Sequence, residues 1–155
     1  RTSWTCRCVP YLQDCGCLVF RIEVRTMPKF RQLTDRATVA VALAPVSKTA
    51  GTTTSAAVNM TGFGGGALLV NAGVIASTGT VDCKITSSAT SGGTYTDVTG
   101  AAITQMTQAG GDSGTSQLVS FDMPTGHTHV KTVLVNATAA AIQGVFVIQD
   151  KDLRS

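Results

Sequence analysis

The sequence predicts an all-β protein, an antiparallel β-sandwich of jelly-roll type with a short extended N-terminal arm. Three observations predict it. From Met27 onward, short runs of apolar and polar residues alternate with period two, and helical periodicity is weak. Between the runs lie dense breakers: "TGFGGG", "ASTG", "TSGG", "VTGA", "AGGDSG", "MPTGH" and "NATA". Charged residues make up only 14% of the chain and hydrophobic ones 43%, whereas an ordinary domain carries about 25% charged residues. The outward positions are filled by threonine and serine instead. A chain this apolar is not disordered, and its 155 residues suffice for one domain with a buried core.

The first 26 residues stand apart. "RTSWTCRCVPYLQDCGCLVFRIEVRT" holds four of the five cysteines, the only Trp and the only Glu. Its apolar stretch "CLVF" is too short for the core of an export signal. Cys6-x-Cys8 and Cys15-x-Cys17 offer four thiolates to a soft metal, but one intervening residue is not the spacing of common zinc knuckles. Paired disulfides would need an oxidising compartment. Met27 opens "MPKFRQLTDRATV", which reads as a protein start, so residues 1–26 are expected to be translated leader or a flexible extension. Residues 27–155 then form one sandwich domain whose arm is residues 27–36.

The strands follow in order. They are expected at 37–43, 55–60, 66–75, 79–89, 94–98, 102–107, 116–123, 129–137 and 141–150. The alanine-rich pieces at 37–44 and 136–141 also suit short helical turns. In "TVDCKIT", Val81, Cys83 and Ile85 share one face, and Asp82, Lys84 and Thr86 the other. Cys83 then reads as a small buried hydrophobe. In "SQLVSFDM", Leu118, Ser120 and Asp122 oppose Val119, Phe121 and Met123.

Several stretches imitate chemistry. "GDSG" around Ser113 is the tetrapeptide that surrounds the nucleophile of trypsin-like proteases, yet both histidines, His127 and His129, come after it. The stretch runs straight into a strand rather than a helix, so a nucleophile elbow does not fit. A glycine-bearing hairpin turn does. His127-x-His129 is expected to put two imidazoles on one side of a strand, half of a metal site with Asp122 as the nearest further ligand. "GFGGGALL" lacks the following helix that a dinucleotide loop needs and reads as a bend or bulge. The sequons at Asn59 and Asn136 matter only after export. No enzyme activity, cofactor or metal is expected.

Charge narrows the partners. Seven of the twelve basic residues lie within the first 36 positions, and between residues 49 and 147 only Lys84 and Lys131 are basic. That leaves the body without the basic face that nucleic-acid binding needs. No apolar run is long enough for a transmembrane helix.

One resemblance emerges from the strand pattern. Gly62-Phe63, Gly66-Ala67-Leu68-Leu69-Val70, Lys84, Ser87-Ser88, Thr94-Tyr95-Thr96-Asp97-Val98 and Ile103-Thr104 form a set that resembles small head proteins of tailed bacteriophages. The likeness covers about residues 27–150, with Tyr95 where Trp is more usual. It implies a β-sandwich cement or decoration protein, a homotrimer clamped over joints between major capsid protein subunits. Its place would be the outside of the virion, after synthesis in the bacterial host cytoplasm. Low charge suits this role, because interface cores are depleted of charge. The arm residues Lys29, Phe30, Arg31, Leu33 and Arg36 are the expected capsid contacts, cations interleaved with apolar anchors; the competing reading is a solvated terminus. Two other classes remain open. A carbohydrate-binding or adhesive module would need clustered exposed aromatics, and a small hydrolase would need Ser113 beside a histidine.

Overall fold

The computed structural model describes residues 36–138 and 141–151. Ten strands fill them: β1 (Ala37–Lys48), β2 (Gly51–Thr54), β3 (Val58–Asn59), β4 (Gly65–Ile75) and β5 (Thr80–Ser88), then β6 (Thr96–Ala102), β7 (Met106–Thr107), β8 (Ser116–Asp122), β9 (His129–Ala137) and β10 (Ala141–Asp150). All pairings are antiparallel. They form two sheets, one ordered β1-β10-β4-β8 and the other β2-β9-β5-β6, with β3 extending β2 along β9 and β7 extending β6 along β5. The expected all-β sandwich is what the chain adopts.

Period-two alternation closes the sandwich. From the four-stranded sheet Leu68, Val70, Val145 and Val147 point inward, and from the other sheet Val81, Ile85 and Val130 do so; all seven are fully buried. Leu134 and Cys83 join them, paired across β9 and β5. Burying one such side chain contributes roughly 1.5–3 kcal/mol. Gly66 shows how tightly β4 lies on β10, because a Cβ there would collide with the Ile148 carbonyl oxygen. Only glycine fits that approach.

The core also contains amides. Gln143 donates from Nε2 to Asn136 Oδ1 at 2.7 Å, and Gln149 donates to the Asn59 carbonyl. Each bond ties β10 of one sheet to a strand of the other. Apart from a donor or acceptor so matched, a buried amide would be costly.

Several boundaries differ from the sequence reading, each for a local reason. β1 runs on to Lys48 through Pro45, because two register shifts in its pairing with β10 accommodate the proline at a sheet edge. No helical turn forms at 37–44. The expected strand 55–60 shrinks to β3, and β2, not expected from the sequence, precedes it; between them Ser55 turns inward to bond Thr132 by backbone and hydroxyl. β6 continues through Gly100, which adopts φ +76° beside a register shift in the β5–β6 pairing. In consequence the expected strand 102–107 shrinks to β7. "GFGGG" is a bend: Phe63 N–H closes on the Met60 carbonyl at 2.9 Å, and the bulge of β4 lies further on, between Ala72 and Ile75.

Candidate interaction surface

The outer face of the four-stranded sheet is built from residues that alternation turns away from the core. Register aligns Val41, Phe146, Leu69 and Leu118 in one row across all four strands, and Val39, Ile148, Ala67 and Ser120 in the row beside it. Among the described residues the large hydrophobics exposed to solvent are Val39, Val41, Val46, Val74 and Leu118, and every one belongs to this sheet. Val39, Val41 and Leu118 are each about 60% exposed. Neither row contains a charge.

Polar rows bound the apolar ones. On one side lie Ala37, Asp150, Gly65 and Asp122, with Arg36 3.9 Å from the Asp150 carboxylate. On the other, Gly144, Asn71 and Ser116 are aligned, and Asn71 donates to Ser116 Oγ at 2.8 Å. The Pro45 ring lies over Gly144, where a Cβ would meet it at 2.9 Å. An apolar centre inside a polar rim is the anatomy of an association surface.

The opposite outer face is different. Lys84 and Asp97 form a 2.7 Å ion pair, Gln105 donates to Asp82 at 2.9 Å, and the Lys131 ammonium stands 4.3 Å from the centre of the Tyr95 ring. Val133 and Val135 sit half-buried among these groups, flooring a shallow depression of about 220 Å³. Lys84, Tyr95 and Asp97 belong to the set on which the resemblance rests, and the fold brings Lys84 and Asp97 together.

Ser113 lies in a turn. Its Oγ accepts the Ile75 N–H at 3.2 Å, while Asp112 Oδ2 accepts Thr107 N–H at 2.7 Å and Gly111 and Gly114 take φ +78°. Asp and Ser thus fold back on backbone groups, and glycine supplies the left-handed residues. His127 and His129 do not share a strand, contrary to the sequence expectation, since β9 begins at His129. His127 Nδ1 bonds the buried Ser87 hydroxyl at 2.7 Å, and His129 Nδ1 bonds Thr128 Oγ1 at 2.9 Å. No group of three or more His, Cys, Asp or Glu fit to hold a metal occurs among the described residues. Burial pushes the Cys83 thiol up to about 12, which keeps it protonated and unreactive at neutral pH.

The aromatics are dispersed. Phe121 is buried, Phe63 packs against the core, Phe146 is on one outer face and Tyr95 on the other. No helix among the described residues is long and apolar enough to cross a membrane. Of the expected capsid contacts, Arg36 is described and pairs with Asp150; Lys29, Phe30, Arg31 and Leu33 lie outside the described residues, as do Cys6, Cys8, Cys15 and Cys17.

The apolar outer rows were not singled out in the sequence, yet a signal for them exists there. "ALLV" (67–70) and "VFVI" (145–148) are apolar at consecutive positions, so both faces of β4 and β10 are apolar. A strand with one wet face alternates instead.

No protein-family model and no curated protein matches the chain. Among solved structures, it is similar to a chain of infectious bursal disease virus, Gx strain, at 15% identity and a TM-score of 0.44, over 75% of this chain and 32% of that one. A chain of the Gt strain is similar at 18% identity and a TM-score of 0.40, over 74% and 33%. The chain thus spans about a third of the length of those viral chains.

Proposed function

We propose that this protein is a structural component of a phage virion, a cement protein that binds the outside of the capsid and stabilises the joints between major capsid protein subunits. The observation that carries the reading is the uncharged apolar face of the four-stranded sheet, on a sandwich whose other face holds Lys84 against Asp97, Asp82 against Gln105 and Lys131 over Tyr95. A surface of that kind serves association rather than chemistry. The residue set shared with phage head proteins supports the same role. From Met27 onward eight basic and seven acidic residues leave a net charge of +1, so little repulsion opposes assembly. The arm, with Lys29, Arg31 and Arg36 around Phe30 and Leu33, is the segment assigned to the shell.

Purified capsids lacking the protein provide the test. Full-length protein should bind them and raise the temperature at which they burst, and a variant lacking residues 27–36 should fold but lose occupancy. Full occupancy by that variant would remove the arm from the contact. No affinity of the full-length chain for any capsid form would remove the cement reading.

A further inference from the structure

We infer that the outer face of the four-stranded sheet binds a second copy of itself about a twofold axis that lies between the sheets and runs across the strands. The inference uses the same face on which the proposed function rests, and its test needs no capsid.

Size matching along the strands is the first argument. The row Val41–Phe146–Leu69–Leu118 is bulky, and the row Val39–Ile148–Ala67–Ser120 is smaller in its β4 and β8 positions. A twofold across the strands keeps strand over strand and reverses each strand's direction. Leu118 then lies over Ser120 of the second copy, Leu69 over Ala67, Phe146 over Ile148 and Val41 over Val39. On β4 and β8 large side chains meet small ones, as interdigitating sheet faces require. An axis along the strands would instead stack the bulky row on itself.

Polar groups are matched by the same axis. Reversal carries Asp122 over Ser116 of the second copy, beside Asn71, so the Ser116 hydroxyl and the Asn71 amide can donate to it. Asp150 comes over Gly144 and its covering Pro45 ring.

Area sets the strength. Four strands about 4.8 Å apart and about seven residues of each at roughly 3.4 Å give a footprint of about 450 Å² per copy. That is near half of the roughly 800 Å² per partner of a standard stable complex. The pair should therefore be weak and reversible, and no charge has to be stripped of water at its centre.

Sedimentation of the full chain without capsids, in reducing buffer and over a wide concentration range, tests this. A reversible monomer–dimer equilibrium is expected. Leu118→Lys and Val41→Lys, at opposite edges of the face and exposed in the monomer, should each raise the dissociation constant about tenfold or more while leaving thermal unfolding of the monomer unchanged. Ser116→Asp should weaken the dimer and Ser116→Lys strengthen it, each several-fold, with both effects shrinking as salt is added. Three results would overturn the inference: a monomer at every concentration, an oligomer indifferent to Leu118→Lys, or Ser116 variants that shift the equilibrium in the same direction. If the variant lacking residues 27–36 dimerises where the full chain does not, the face belongs to the arm and the inference again fails.

Discussion

The two outer faces of the sandwich share one backbone logic and have opposite surface chemistry. On the six-stranded sheet Val133 and Val135 are screened by Lys84–Asp97, by Asp82 with Gln105, and by Lys131 over Tyr95. On the four-stranded sheet Val41, Phe146, Leu69 and Leu118 have no such cover. The difference teaches that apolar residues on an outer face are not in themselves a signal. What matters is whether the polar neighbours on adjacent strands are long enough to reach over them. Lysine stems and a tyrosine ring do this on one side; alanine, serine and valine cannot on the other.

The largest effects should come from the inner faces, on which the sheets are alike. Leu68→Ala and Ile85→Ala each empty a fully buried position, one in each sheet, and should cost about 2–5 kcal/mol in denaturant unfolding. Comparable losses would show that both sheets seal one core. A loss under about 1 kcal/mol at either site would break the equivalence of their inner sides.

Alkali should act through the inner side of the six-stranded sheet. The Cys83 thiol ionises near 9.0 when unfolded and only at about 12 when folded. The unfolded chain then releases a proton that the folded chain keeps, so stability is unaffected by this group below pH 9.0 and declines between the two values. The slope there is about 1.4 kcal/mol per pH unit. The difference between wild type and Cys83→Ala, measured by unfolding across that window, isolates it; parallel curves would mean the thiol is solvated.

Ser113→Ala should cost about 1 kcal/mol, the net worth of a hydrogen bond, since Ser113 Oγ accepts the N–H of the buried Ile75. Differential unfolding against wild type reads it. A loss of any hydrolytic activity in this variant, with stability intact, would replace the turn role with a chemical one.

The smallest expected change sharpens the comparison of outer faces most. Lys84→Ala removes a solvent-exposed ion pair and should cost less than about 1 kcal/mol, and it uncovers Val133. Leu118→Ala should leave the monomer within about 0.5 kcal/mol yet weaken self-association. If Lys84→Ala instead induces association through the six-stranded sheet, polar cover alone is what keeps that face single.

Local sequence determined that the chain forms strands and, in β5, which side is buried. Val81, Cys83 and Ile85 were separable from Asp82 and Lys84 because strand side chains alternate whatever the strand packs against. β9 and β10 end where their turns do, so their bounds could be read directly. "GGDSG" could be read as a turn from glycine's access to positive φ. Pairing order could not be read. Residues 39, 67, 118 and 148 are far apart in sequence, and only register across β1, β10, β4 and β8 makes adjacent rows of them. The same holds for Gln143 and Asn136, which look like ordinary surface amides until two sheets meet over them. Sequence fixes what a residue can do with its neighbours on the strand; which strand lies beside it is a non-local choice, and the association surface is made of those choices.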